Sequence, residues 1–502
     1  MSSTNTFPVP TSVRDPRTRT VALCGILAAE IMILCFPGIW WGIAGLSLLA
    51  VTVLLGLLIA VLRGRGEKII LGWILIFPLG YYYLSFPREG ALLTLDRVFI
   101  GALLASACFA PRSVISGIPQ ALRKSGDYWG LFLLFAALAI PRAKTPLSSS
   151  RIWLEAFLFP ALLAWYVLRY FDVRRFLSAL HALTCVMAMY VTAIGLCEVI
   201  LQRDLLPLPG GGFVVAGDYT DLTAQILPRP NGPFGTNSSF AMVGMVSLFF
   251  LLFLRKTLAG QMPAWQKIVH RMGVSAALVE ALLPLFKSVL VSLTIVLLVD
   301  AFYQHGRRRI LRLGAVLSLG LAFLSLQIVL PSVFEERSDS GTLRARIAQQ
   351  KQTLALFIDN PINGVGLSNF TDASQKSKYV TYYDDAEALG SEHNNLGAVL
   401  AETGLTGFLP FVASQVLIAT AFWRLRRTSS NDSQLVWKAF LFLFLCYWIN
   451  GLALTTAYFA DLNLWYMFVL AALYKFAITS PALKQSERQN QSPELIGKRR
   501  TT

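Results

Sequence analysis

The feature that most constrains this chain is a succession of apolar runs near 21–37, 39–62, 69–86, 91–110, 128–141, 152–168, 176–201, 239–254, 273–286, 288–303, 313–330, 396–423, 434–454 and 463–479. A helix needs about 20 apolar residues to cross a bilayer, and inside lipid each backbone N–H and C=O has to find its partner within the segment. Such runs predict an all-α, polytopic integral membrane protein with about 12–14 transmembrane helices. Composition agrees: 55% of the 502 residues are hydrophobic and 14% are charged, where a soluble domain carries about 25% charged. A soluble globular enzyme is excluded.

The formal net charge of +16 would suggest nucleic acid in a soluble chain. In a membrane chain it is first an orientation signal. Threading the runs with the N-terminus inside puts Arg63, Arg65, Lys68, Arg112, Arg123, Lys124, Arg169, Arg174, Arg175, Arg255, Lys256, Arg307 to Arg309, Arg312, Arg424, Arg426 and Arg427 on the cytoplasmic side. About two thirds of the basic residues then lie inside, and no nucleic acid partner is expected. This parity requires 273–286 and 288–303 to form a hairpin turning at Lys287, because one crossing over 273–303 would invert every later loop. Both termini are expected in the cytoplasm.

Basic residues Arg14, Arg17 and Arg19 ahead of an apolar run from Val21 imitate a signal peptide. The run continues past Pro37 to Leu62, so it reads as a retained span. The six cysteines, Cys24, Cys35, Cys108, Cys185, Cys197 and Cys446, lie in apolar stretches without a CxxC pair, and neither a disulfide framework nor structural zinc is expected.

The chain divides into a cytoplasmic tail (1–20), an N-terminal transmembrane bundle ending in a Gly/Pro-rich outer loop (21–238), a core with a polar outer loop at 331–395 (239–423), C-terminal transmembrane helices (424–479) and a basic tail predicted to be disordered (480–502). Within the polar loop, 342–359 has the spacing of an amphipathic helix with Leu343, Ile347, Leu354 and Ile358 on one stripe and Pro361 ending it. Residues 363–369 read as a turn, and Tyr379, Tyr382 and Tyr383 as interfacial contacts.

Of the four histidines, His181 falls in an apolar span and His270 and His305 in basic cytoplasmic loops. Only His393 falls where the outer loop re-enters the membrane, beside Glu392, Asn394 and Asn395. It reads either as part of a polar helix cap or as a general base of near-neutral pKa. Arg344 and Arg346 open the amphipathic helix and, two residues apart, flank opposite sides of its stripe. Each either meets a ligand, snorkels, or pairs with Glu335, Glu336 or Asp339. Arg229 is held between two prolines with Gly232 and Gly235 close by, a backbone that admits close ligand approach. Lys287 puts a charge at the tip of an apolar hairpin, which is costly unless it snorkels or meets an anion. A set of outer cations around one histidine suits a diphosphate leaving group, since guanidinium forks match phosphate oxygens. Asp384, Asp385, Glu387, Glu392 and His393 match no trusted metal-ligand spacing, and Asp96 and Arg97, about 100° apart on a helix, read as structural.

These residues resemble the O-antigen ligase and O-antigen polymerase superfamily of polytopic bacterial glycosyltransferases. The resemblance covers about 229–410 and rests on RPNGPFGTN (229–237), FKS (286–288), an arginine 15 residues before PINGVGLSNF (361–370), and HNNLGAVLAETGLTG (393–407). That spacing selects Arg346 over Arg344. The resemblance implies an inverting, metal-independent enzyme of the bacterial inner membrane, without a cofactor. It would move a glycan from a polyprenyl diphosphate carrier to an acceptor hydroxyl at the periplasmic face, the acceptor being lipid A core or a growing polysaccharide. His393 would be the catalytic base and Arg229, Arg346 and Lys287 would hold the diphosphate, with Glu392, Asn394 and Arg344 supporting. Lys287 departs from the family's arginine, keeping the charge but losing the fork. A polymerase uses the same donor. A transporter of lipid-linked sugars, the alternative from another class, would need ionisable residues within broken spans, whereas most charges here lie in loops.

Overall fold

The computed structural model of the protein describes residues 54–80, 93–110, 120–202, 229–329, 340–376, 382–383, 387–388, 393–427 and 430–480. The expected N-terminal tail, the first apolar run, most of the 202–238 loop and the basic tail beyond residue 480 lie outside them. The described chain is helical: α1 (Gly66–Gly80), α2 (Leu95–Cys108), α3 (Gln120–Ala139), α4 (Pro146–Tyr170), α5 (Leu177–Leu201), α6 (Asn237–Thr257), α7 (Ala264–Leu282), α8 (Lys287–Phe302), α9 (Arg307–Val329), α10 (Ser340–Asp359), α11 (Phe370–Lys376), α12 (Asn395–Arg426), α13 (Asn431–Gly451) and α14 (Ala460–Ile478). The only strand pairing among the described residues is a two-residue antiparallel ladder of β1 (Tyr382–Tyr383) with β2 (Glu387–Ala388).

The protein is an all-α, polytopic membrane protein. Among the described residues six helices, α4, α5, α6, α12, α13 and α14, are long and apolar enough to cross a bilayer, against 12–14 expected over the whole chain. Two of the expected runs hold helices too short to count among these six: α2 has 14 residues and α8 has 16. The centre belongs to α6 and α14, apolar on all sides and therefore enclosed by other helices. They run parallel, Ser239 Oγ donating to Asp461 at one end and Phe253 stacking edge-on against Phe476 at the other. Between them Trp465 Nε1 donates to Ser247 Oγ at 3.0 Å, the kind of polar tie that fixes helix pairs in lipid.

Two ends of the bundle follow from such pairings. At one end lie the close of α5 and the starts of α6, α8 and α12: the Glu198 carboxylate accepts from Gly232 N–H at 2.7 Å. At the other lie the starts of α5 and α13 and the close of α14, where Arg174 reaches Asp432 and the carbonyl of Phe476. The basic residues closing α6 (Arg255, Lys256), opening α9 (Arg307 to Arg309) and closing α12 (Arg424, Arg426) share this second end.

The hairpin is present: α7 closes at Leu282, Leu285 turns at φ +54° and α8 opens on Lys287. But α7 begins at Ala264 rather than near 273, so His270 is no loop residue. It lies on a buried face with Gln266, Gly273 and Ala277, a stripe at i, i+3, i+4 spacing that the outward Lys267 and Arg271 disguise in the sequence. Asp96 and Arg97 form separate interhelical ties. Asp96 accepts from Trp73 Nε1 at 2.8 Å, and Arg97 pairs with Glu155, which Arg151 also holds at 3.0 Å.

Candidate active site

His393 immediately precedes α12. Asn394 next to it is the helix N-cap, its side-chain oxygen accepting from the backbone N–H of Leu396 and of Gly397 at 2.9 and 3.3 Å, which satisfies donors a helix start leaves bare. Asn395, fully buried, clamps the α12 start to a 3₁₀ turn at Thr456–Tyr458. Its oxygen accepts from Ala457 N–H at 2.8 Å, and its amide donates to Thr456 Oγ1 at 2.7 Å.

Behind the histidine, α12 breaks at Gly404 (φ +61°), and the expected 363–369 turn docks into the break. Val365 N–H and Gly366 N–H donate to the carbonyls of Ala401 and Glu402, while Leu405 N–H donates back to Pro361. Gly364 and Gly404 each approach the other segment's backbone: a Cβ on Gly364 would stand 2.3 Å from the Glu402 carbonyl carbon, and one on Gly404 2.3 Å from the Ile362 carbonyl oxygen. Glu402, buried, accepts from Ser368 N–H, Phe370 N–H and Tyr458 O–H at 2.6, 3.2 and 2.6 Å. One carboxylate thus ties the turn, α12 and the 3₁₀ turn together.

The amphipathic helix forms as α10 and packs on α12. Its apolar stripe faces outward, with Ile347, Leu354 and Ile358 about half exposed or more, while Gln349, Gln352 and Thr353 are buried. A helix at the membrane surface is stable this way round when lipid receives the apolar side. Arg346, half-buried, belongs to the inner face with Gln349 and Thr353. Burial, and after it the Arg346 charge, push the His393 pKa down to about 4, so the imidazole rests neutral. The Arg346 charge therefore reaches His393.

Arg229 and Lys287 form a second pair. The Arg229 guanidinium stands over the Phe286 ring at 5.2 Å, and Lys287 is the next residue. The last turn of α13 bridges the two pairs: Asn450 Nδ2 donates to Ser292 Oγ of α8 at 3.0 Å, and Gly451 lies so close to Asn395 that a Cβ would stand 2.3 Å from its amide nitrogen. Both pairs therefore belong to the bundle end away from the basic helix ends. Gly232 (φ +56°) does other work than expected. A Cβ there would meet the Phe240 ring at 2.6 Å, so it admits an aromatic side chain rather than a ligand.

Glu392, Asp384, Asp385, Tyr379, Glu335, Glu336 and Asp339 lie outside the described residues, as do the side chains of Arg344, Tyr382, Tyr383 and Glu387. Sequence reasoning missed Glu402 and Tyr458 as the residues that hold the site together. Glu402 looked like one more polar residue of HNNLGAVLAETGLTG, and its only signal was a carboxylate in an otherwise apolar helix.

Chemically, the arrangement offers a neutral imidazole that can take a proton, with three cations at the same bundle end. Residues 232–412 match the O-antigen ligase family. Comparison with curated proteins finds no match.

Proposed function

We propose that this multi-pass membrane protein, which carries an O-antigen ligase domain over residues 232–412, is an inverting glycosyltransferase. It moves a glycan from a polyprenyl diphosphate to an acceptor hydroxyl at the outer face of the bacterial inner membrane, as in ligation of O-antigen to lipid A core. The arrangement that supports this reading is His393 at the opening of α12, with Arg346 on the inner face of α10 packed on that helix and Arg229 and Lys287 at the same bundle end. In the reaction, the acceptor oxygen attacks the anomeric carbon, the bond from that carbon to the diphosphate oxygen breaks, and the hydroxyl proton passes to His393. The diphosphate leaves with its lipid, and Arg229, Arg346 and Lys287 stabilise the added negative charge. No step passes through a metal.

A base of pKa about 4 is weak on its own. Donor binding raises that value in part, because the diphosphate charge offsets Arg346 while burial, the larger cause, persists. His393 is thus a stronger base with the leaving group in place than without it. Asn394 caps the helix that opens beside His393.

The test is consumption of a lipid-diphosphate-linked repeat by the purified protein, with lipid A core or a second lipid-linked repeat as acceptor. His393→Ala and Arg346→Ala are expected to lose at least about 100-fold in kcat, in line with loss of a general base or an oxyanion contact. Full activity in either variant sinks the proposal. A product formed only on the second acceptor moves the reading to a polymerase, and passage of intact donor across sealed vesicles moves it to a transporter.

A further inference from the structure

At the bundle end opposite His393, where α5 and α7 begin, three side chains converge that the transfer reaction does not use. His181 and Cys185, one turn apart on α5, face His270 on α7. His181 Nε2 lies 3.1 Å from His270 Nδ1 and 3.7 Å from Cys185 Sγ, and the three atoms all lie within 4.8 Å of one another. All three residues are buried. The chain has only four histidines and six cysteines, so half its imidazoles and one thiol meeting at one point inside an apolar bundle calls for a cause.

We propose that His181, Cys185 and His270 bind a thiophilic divalent ion of the zinc class, clamping α5 to α7. Metal–nitrogen bonds of about 2.0–2.1 Å and a metal–sulfur bond of about 2.3 Å put tetrahedral ligand atoms roughly 3.3 Å (N···N) and 3.6 Å (N···S) apart. Both edges at His181 fit, and a small inward turn of Cys185 closes the third. Two imidazoles and a thiolate are the donors that borderline and soft ions prefer. Close approach of the helices is built in, since a Cβ on Gly273 would stand 2.7 Å from Cys185 Sγ.

The surroundings also suit a metal-bound histidine. With Nε2 on the ion, His181 carries its proton on Nδ1 and needs an acceptor there. The Gln266 amide lies 3.4 Å from Nδ1 and 3.3 Å from Ser178 Oγ, and turned over it presents its oxygen to the ring. Ser178, exposed in the first turn of α5, hydrogen-bonds to Gln266 at the cluster's edge. Binding converts the Cys185 thiol to thiolate and releases one proton. Two imidazoles sharing one hydrogen bond beside an inert thiol is the competing account, and it requires no ion.

The experiment uses the full chain purified in detergent, stripped with a chelator and then given Zn(II) or Co(II). One zinc per chain is expected to survive gel filtration and to raise the melting temperature of the stripped protein. Co(II) should give the visible bands of a tetrahedral site together with a near-ultraviolet thiolate charge-transfer band. Cys185→Ser should abolish that band, His270→Gln should weaken zinc binding at least about tenfold, and Gln266→Ala should weaken it about tenfold. Cys446→Ser, at a buried cysteine elsewhere, should bind as the unaltered protein does. Substoichiometric zinc, absence of the charge-transfer band in the unaltered chain, or equal affinity in the Cys185→Ser and unaltered proteins overturns the site. None of these readouts involves glycan transfer.

Discussion

Burial and a neighbouring guanidinium keep His393 neutral over most of the physiological range, and the sign of the consequence can be worked through. Its folded pKa of about 4 lies below the unfolded value of about 6.5, so between these values the unfolded chain binds more protons. The stability His393 contributes is therefore complete above about pH 6.5 and falls away as the pH drops toward 4. Replacing Arg346 by Gln removes the cation while burial stays, so the His393 pKa should rise. The rate of diethyl pyrocarbonate modification at His393, followed against pH by mass spectrometry, should show a higher midpoint in Arg346→Gln than in the unaltered chain. An unchanged midpoint would mean that the two residues do not sense each other. In the sequence, His393 was recognisable because a lone imidazole stood where a polar loop meets an apolar run. Its protonation state was not legible, since that depends on a residue 47 positions earlier, brought near only by the packing of α10 on α12.

Among the elements, the break in α12 best separates what a pattern reveals from what packing decides. PINGVGLSNF reads as a turn from its glycines, and HNNLGAVLAETGLTG reads as a helix opening. Neither says that the first inserts into the second, with Gly364 against the Glu402 backbone and Gly404 against that of Ile362. Gly404→Ala imposes a strained positive φ and a clash with the Ile362 carbonyl, so it should cost at least about 2 kcal/mol and abolish transfer. Gly314→Ala, on α9 with open space around its Cβ, should leave stability equal or raised by about 0.5 kcal/mol, as alanine replaces glycine within a helix. Apparent melting temperatures of the two purified variants check this, and equal melting would count against the docked turn. The amphipathic period of α10 gave the helix but not its facing. Apolar residues point inward in a soluble protein, whereas at a membrane surface lipid competes for them and the polar face turns to the site.

For the whole molecule, the two ends differ in chemistry. One gathers the basic helix ends and the His181–Cys185–His270 cluster, the other His393, Arg229, Lys287 and Arg346. The positive-inside rule assigns the first end to the cytoplasm. Alkaline phosphatase fused after residue 285 should therefore be active and after residue 305 inactive, and the reverse pattern would invert the proposed orientation. By itself, the sequence determined the class of fold, the likeness to the ligase family and the residue types at the candidate site. These follow from local hydropathy, charge and short motifs, each contained within a few tens of residues. Only the tertiary structure decided that the Arg346 charge reaches His393, that Glu402 holds three segments together, and that His270 turns inward to meet His181 and Cys185 across 89 residues of chain. Those contacts arise from helices choosing partners and facing directions through packing, and that choice leaves no periodic trace along the chain.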